Sequence, residues 1–241
     1  MSLKTVLIIP SRIGSTRLKN KPLVEISGKT LIQRVYENAS LSSPNVFIAT
    51  DSDLIKDHIS PLTSNVILTS KKHISGTDRV FEAAEKLELD DDTLIINLQG
   101  DEPFMPKEVI SSLIASLQNN PSNIVTAAHR IVSKTLIADP NCVKAIINDK
   151  SFAVDFVREI EYLPDTLYYQ HIGIYGYSMA TLKKLVNLKP TLNELNRKLE
   201  QLRFQDNGFK ILISKFDITI PPGIDTEADV EAAINFINNE S

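Results

Sequence analysis

Val6-Leu7-Ile8-Ile9-Pro10-Ser11-Arg12-Ile13-Gly14-Ser15-Thr16-Arg17-Leu18-Lys19-Asn20-Lys21-Pro22-Leu23 runs an apolar segment straight into a basic loop. Val6 to Ile9 show no alternation, as expected of a strand covered on both faces in a parallel sheet. Open α/β sheets bind ligands at the carboxyl ends of their strands. There the chain supplies charge from Arg12, Arg17, Lys19 and Lys21. Ser11, Gly14, Ser15 and Thr16 are small enough to let backbone N–H groups approach an anion. The loop has neither a Gly-Lys-Ser/Thr opening a helix nor G-x-G-x-x-G. It points to a nucleoside triphosphate site of another kind. A merely solvated basic loop is the competing reading, and the position after the first strand of an α/β pattern favours the site.

Outward from this loop, strand and helix patterns alternate. Leu31, Ile32 and Val35 mark the inner face of a helix, Val46–Ala49 a strand, Val66–Leu68 a short strand, and Val80, Ala83, Ala84 and Leu87 a second helix. Leu94–Leu98 forms a fourth strand, followed by a helix with Pro106 near its first turn and Ile110, Leu113, Ile114 and Leu117 on one face. This rhythm predicts a mainly parallel sheet with right-handed crossovers. Beyond about residue 124, apolar runs at Ile124–Ala128, Val143–Ile147, Ile172–Tyr177 and Ile211–Ser214 predict strands of more mixed pairing. Leu192, Leu195, Leu199 and Leu202 predict one helix, and Val230, Ala233, Ile234 and Ile237 a closing one. No repeat or linker divides the chain, so residues 1–241 are expected to form one domain.

Composition narrows the function classes. The chain has 241 residues and is 42% hydrophobic, enough for a sizeable core. Net charge is −4 with no long like-charge block, which argues against a nucleic-acid partner. Cys142 is the only cysteine, so there is neither an intrachain disulfide nor a cysteine cluster for zinc; a buried small hydrophobe is its expected role. With no signal peptide and no apolar run near 18 residues, the expectation is a cytoplasmic protein without a membrane partner.

Asp101 and Glu102 follow the fourth strand beside Gly100, where a carboxylate can bind Mg²⁺ opposite the basic loop; a simple turn is the alternative. Asp225 is a second candidate ligand. Thr226 with Asp229 resembles a capping box, which leaves Asp225 just outside the last helix unless Asp225 is itself the cap. Ser75-Gly76-Thr77-Asp78-Arg79 is another small-residue loop before a helix. Arg79 can reach a phosphate or a substrate carboxylate, or pair with Glu82 or Glu85. Arg158, His171, Glu200 and Gln201 stand in apolar surroundings and suit recognition of a polyhydroxylated, carboxylated ligand. Each also has an ordinary reading: Arg158 with Glu161, Glu200 with Arg197 or Arg203, His171 as a satisfied core residue.

Together these segments resemble the 3-deoxy-manno-octulosonate cytidylyltransferases, or CMP-Kdo synthetases, from about Leu7 to Ile237. The resemblance rests on Ser15-Thr16-Arg17-Leu18 with Lys21-Pro22-Leu23, Ala49-Thr50-Asp51, Ser75 to Arg79, Asn97 to Pro103, His171 to Tyr177, Leu199 to Arg203, and Gly223 to Thr226. It implies a Rossmann-like three-layer α/β nucleotidyltransferase fold, with a mainly parallel mixed sheet and a small dimerisation and sugar-binding subregion. It implies transfer of CMP from CTP to the acidic eight-carbon sugar Kdo for lipopolysaccharide, by a homodimer using Mg²⁺. Arg12, Arg17 and Lys21 would act on the phosphates, with Ser11, Gly14, Ser75 and Gln99 also at CTP. Asp101 and Asp225 would hold Mg²⁺. Arg79, Gln99, Arg158, His171, Tyr175, Glu200 and Gln201 would line the sugar site. The chain departs from the family with Asp155-Phe156-Val157-Arg158 for a usual Tyr-Phe-Ser-Arg, a short stretch from Arg158 to His171, Lys19-Asn20 for Pro-Gly, and Arg197 for a Glu. A variant acidic sugar (amino-substituted Kdo or a sialic-acid-like one) and a catalytically inactive nucleotide-binding regulator are the alternatives.

Overall fold

The computed structural model describes residues 4–15, 17–164, 166–218, 220–221 and 223–240. Thr16, part of the first motif above, lies outside the described residues, as does Pro222 just before the last. The first half runs β1 (Thr5–Ser11), β2 (Glu25–Ile26), β3 (Lys29–Thr30), α1 (Leu31–Ser40), β4 (Val46–Thr50), α2 (Asp53–Ile59), β5 (Val66–Leu68), α3 (Gly76–Lys86), β6 (Leu94–Asn97) and α4 (Lys107–Asn119). The second runs β7 (Ile124–Ile131), α5 (Lys134–Ala138), β8 (Lys144–Ile147), β9 (Ala153–Val157), β10 (Tyr168–Ser178), α6 (Met179–Leu185), α7 (Leu192–Arg197), α8 (Glu200–Asp206), β11 (Ile211–Phe216) and α9 (Glu227–Glu240).

The main sheet has the order β11-β7-β10-β6-β1-β4-β5. β1 is parallel to both β4 and β6, as its unbroken apolar run predicts. β10 is antiparallel to both β6 and β7, with Tyr175 opposite Asn97. β8 and β9 form an antiparallel hairpin beside β10. The sheet is therefore mixed, and parallel in the half that begins the chain. Successive residues of β1 feed opposite cores. Leu7 and Ile9 pack with Val35, Leu113 and Val230, while Val6 and Ile8 pack with Val80, Tyr177 and Leu182. Helices on both faces complete three layers.

Local chemistry explains the element boundaries. Thr30 and Gln33 close a capping box on α1, and Ser75 caps α3 by accepting from the Asp78 N–H. Thr226 accepts from Asp229 N–H while Asp229 Oδ2 accepts from Thr226 N–H, which settles the last helix: Thr226 is the cap and Asp225 stands outside it. Gly176 lets β10 lie close to its neighbours, since a Cβ there would stand 2.6 Å from Val125 Cγ2.

One expectation is corrected. The leucine spacing from Leu192 to Leu202 does not form one helix but two, α7 and α8, broken at Lys198 with φ 55°. Leu192 and Leu195 are exposed while Leu199 and Leu202 are buried, so the four leucines do not share a face. The Arg158 guanidinium takes the carbonyls of Arg197 and Lys198 at the break, which satisfies groups that a continuous helix would have used itself.

Candidate active site

Because β1, β4 and β6 are parallel neighbours, their carboxyl ends open at one edge. The loops there form a cleft. Its basic wall is Ser11, Arg12, Arg17 and Lys21; its other walls come from Ser75, Gly76 and Arg79, from Gln99 and Asp101, and from Asp225. Nine of the residues expected at a nucleotide, sugar or metal are thus brought together from four separate segments. The approach is close: a Cβ on Gly100 would stand 2.7 Å from the carbonyl oxygen of Pro10, so only glycine lets this turn meet β1. Gly14 lies in the basic loop, not in the cleft wall, and has open space around it.

Inside the cleft the charges are largely paired. Lys21 Nζ is 2.7 Å from Asp101 Oδ2 and 3.0 Å from Asp225 Oδ1. Arg17 Nη2 lies 2.9 Å from the same Asp225 oxygen. Burial alone would lower the Lys21 pKa, but the charges and hydrogen bonds of Asp101 and Asp225 outweigh it and hold it above its ordinary value. Beside them, burial together with the charges of Asp101 and Asp225 pushes Glu102 up to about 8, so it is protonated at neutral pH. Arg12 is exposed and has no ion pair among the described residues. The Ser11 hydroxyl is buried with no partner among them, a polar atom left for a ligand.

Arg79 lines the cleft, but its guanidinium already has partners. It pairs with neither Glu82 nor Glu85, but reaches Asp51 at 3.1 Å and the Thr69 hydroxyl at 2.6 Å, fully buried. Asp51 in turn accepts from the Ile13 N–H at 3.2 Å. This pair ties α3 to the end of β4 and pins the basic loop. Glu82 does the same for the loop before α3, accepting from Ser70 N–H and contacting His73 and Lys86. Burial would raise Glu82, but hydrogen bonds from Lys86, Ser70 and His73 prevail and bring it down to about 2. Asp51 and Glu82 were not singled out as site residues by sequence. Asp51 carried a signal, its place at a strand's carboxyl end; Glu82 carried none beyond helical spacing.

The cleft can hold a divalent cation. Two carboxylate oxygens from distant segments converge on one positive centre, the Lys21 ammonium. Mg²⁺ takes oxygen ligands and is often held by one or two carboxylates together with substrate phosphates. Among the described residues no cluster of three or more His, Cys, Asp or Glu surrounds a common point. Asp101 and Asp225 would therefore supply the protein's share, and the substrate the rest.

A second polar group lies beside the cleft. Since β10 is antiparallel to β6 and Tyr175 faces Asn97, residues preceding Tyr175 extend past the carboxyl end of β6. His171 and Tyr175 have ring centroids 5.5 Å apart, and a Cβ on Gly173 would lie 3.7 Å from Gln99 Cγ. Gln99 donates to Asn97, which donates to the Tyr177 hydroxyl. His171 Nε2 lies 3.1 Å from Thr126 Oγ1, whose own proton goes to the Ile174 carbonyl at 2.7 Å. His171 Nε2 is then the donor. Burial brings His171 down to about 3, so its ring is neutral at neutral pH. Glu200 Oε2 accepts from Thr77 at 2.9 Å and Oε1 from Arg203 at 2.6 Å; burial outweighs these and raises its pKa. Gln201 is buried beside it.

Arg158 is not brought to the cleft. Its guanidinium donates to three backbone carbonyls, those of Arg197 (2.8 Å), Pro140 (3.1 Å) and Lys198 (3.2 Å). It does not pair with Glu161. Nearby, two of the residues noted above as departures meet each other: Arg197 Nη1 is 2.7 Å from Asp155 Oδ1.

Residues 6–211 match the cytidylyltransferase family model. A 3-deoxy-manno-octulosonate cytidylyltransferase of Saccharophagus degradans is 37% identical, covering 94% of this chain and 95% of that protein. One from Thermodesulfovibrio yellowstonii is 38% identical over 98% of this chain and 99% of its own. Among solved structures, a CMP:2-keto-3-deoxy-manno-octonic acid synthetase complexed with CTP superposes with a TM-score of 0.91 at 34% identity, covering 99% of this chain and 100% of that one. A 4-diphosphocytidyl-2C-methyl-D-erythritol synthase of Anaerococcus prevotii, at 18% identity and a TM-score of 0.65, shares the fold.

Proposed function

The chain belongs to the cytidylyltransferase family of nucleotidyltransferase enzymes, and from that premise we propose that it transfers CMP from CTP to the anomeric hydroxyl of 3-deoxy-D-manno-octulosonate, releasing pyrophosphate. The observation that carries this reading is the cleft, where Arg12, Arg17 and Lys21 face Asp101 and Asp225 in a chain similar end to end to enzymes of that name. The 241 residues work as one domain.

Arg12 takes the first contact with the triphosphate, because it holds no competing carboxylate. Ser11, Ser75 and Gln99 complete the nucleotide contacts, with Gly14 in the basic loop beside them. The sugar hydroxyl attacks the α-phosphorus and pyrophosphate leaves. Negative charge grows on the leaving oxygens, so Arg12, Arg17 and Lys21 act by stabilising it. Asp101 and Asp225 would hold Mg²⁺, which when bound supplies Lewis acidity at the phosphate oxygens. The sugar lies against His171, Tyr175, Glu200 and Gln201. Neutral His171 and protonated Tyr175 offer hydrogen bonds in a part-buried setting, where they discriminate between hydroxyl patterns. The sugar's carboxylate falls to Arg158 only if it leaves its three carbonyls; Arg79 is committed to Asp51.

We place the enzyme in the cytoplasm as a homodimer that feeds lipopolysaccharide synthesis. No helix among the described residues is long and apolar enough to cross a membrane. Val132, Leu136, Val154, Leu163 and Leu167 are exposed in the β7–β10 region, which supports a subunit contact there. Pyrophosphate release with CTP, Mg²⁺ and Kdo tests the activity, and comparable release with ATP or GTP overturns the choice of nucleotide.

A further inference from the structure

We propose that Lys21 and Arg17 are exchangeable counter-ions that hold Asp101 and Asp225 until a metal–nucleotide pair replaces them. The inference rests on the reading of the cleft as a metal–triphosphate site. Its geometric basis is the sharing of oxygens: the two carboxylates expected to face a metal are already occupied by two cations expected to face phosphates.

The two cations are held unequally. Lys21 is only 15% exposed and opens a 3-10 turn, Lys21–Leu23, with Pro22 buried beneath it. Arg17 is 64% exposed and reaches Asp225 from the solvent side. A metal ion arriving alone meets an ammonium at the same two oxygens. It must displace Lys21 into the cleft, where a partly buried ammonium would lack a partner. A triphosphate arriving alone draws Lys21 and Arg17 away and leaves Asp101 and Asp225 facing each other and the phosphates. When both arrive, every charge is paired again: carboxylates with the metal, and Lys21 and Arg17 with phosphate. The three internal ion pairs are exchanged for contacts with the metal and the phosphates, with no buried charge stranded. By linkage each ligand must then strengthen the other's binding by the same factor. CTP also chelates divalent ions in solution, so this coupling alone does not isolate the role of Lys21. Metal binding without nucleotide does.

The test uses Mn²⁺ as the probe, with affinity measured on the full chain by paramagnetic resonance of the free ion, in the absence of nucleotide. Removing the resident cation should tighten metal binding while weakening metal-free CTP. Lys21→Met is expected to bind Mn²⁺ about tenfold more tightly than the unaltered protein, and CTP without metal about tenfold more weakly. Arg17→Gln should shift both in the same directions by about two- to threefold, in keeping with its exposure. Asp101→Asn should lose the tightened site when combined with Lys21→Met. If Lys21→Met is poorly folded, the rise of Tm on adding Mn²⁺ reads the same affinity and should exceed that of the unaltered protein; Lys21→Gln repeats the test with a polar isostere. Unchanged or weaker Mn²⁺ binding in both Lys21 variants overturns the counter-ion role. The outcomes separate from the activity: a protein that makes CMP-Kdo while its Lys21 variants bind Mn²⁺ no better refutes only the exchange. Tightened Mn²⁺ binding in a protein inactive with CTP and Kdo refutes only the substrate reading.

Discussion

The cleft at the ends of β1, β4 and β6 and the patch on β10 and α8 meet at Gln99, yet they hold polar groups in opposite ways. In the cleft, full charges sit partly in solvent and neutralise one another across segments 80 and 204 residues apart in the chain. On the patch, His171, Tyr175 and Glu200 are part-buried and unpaired with any opposite charge except Arg203 beside Glu200, and desolvation pushes each towards its neutral form. A triphosphate with its metal carries large charge of both signs, and a site of paired ions can trade partners with it at little desolvation cost. A sugar's hydroxyls carry no charge, and burial makes each hydrogen bond to them more selective. Substitutions should therefore behave differently on the two sides.

The largest effect is expected in the cleft. Asp101→Asn and Asp225→Asn should each lower kcat by about 10²–10³-fold with the fold retained by circular dichroism, since they remove charge that matters most in the transition state. Near-normal turnover of either variant would take that residue out of the metal site and dissolve the charged half of the contrast.

Next comes the patch. Glu200→Ala should raise the sugar KM by about 10–100-fold, the worth of a hydrogen bond to a charged group, with the CTP KM little changed. A parallel rise in both constants would show that the two regions act as one.

Arg158 sharpens the boundary of the patch. Arg158→Lys should lower stability by about 1–2 kcal/mol in urea titration, because a compact ammonium cannot reach the three carbonyls that the spread guanidinium fork spans, and should leave both KM values near their starting points. A tenfold rise in the sugar KM alone would show instead that the guanidinium leaves the α7–α8 break to bind the sugar's carboxylate.

The smallest effect is a pH slope. His171 is brought down to about 3 in the folded protein, while the unfolded chain takes up a proton below about 6.5. Between these values the unfolded state binds more protons, so stability is full above 6.5 and falls as pH drops. The contribution should be about 1 kcal/mol at most between pH 6.5 and 5.5. His171→Gln should flatten that part of the profile; an unchanged slope would mean that the ring titrates in the folded protein as it does in the unfolded chain.

Much of the cleft was legible in the sequence because its residues lie in short runs at predictable places. An unbroken apolar strand followed by Arg12, Arg17 and Lys21 announces itself, and parallel strands carry Asp101 to the same edge. The Leu192–Leu202 segment misled because spacing cannot report which side of a helix is covered. Its break depends on Arg158, some 40 residues earlier in the chain. Arg79 misled for a related reason: local spacing offered Glu82 and Glu85, whereas Asp51, 28 residues away, is the partner.

By itself the amino-acid sequence determined the α/β alternation, the basic loop, the strand-end carboxylates and the likeness to cytidylyltransferases, because these are set by neighbours along the chain. Only the tertiary structure decided partners. It put Lys21 between Asp101 and Asp225, paired Asp155 with Arg197, spent Arg158 on backbone carbonyls and part-buried the ring of His171. Ion pairs and desolvation depend on distance through space, and a one-dimensional pattern carries that distance only where secondary structure enforces it.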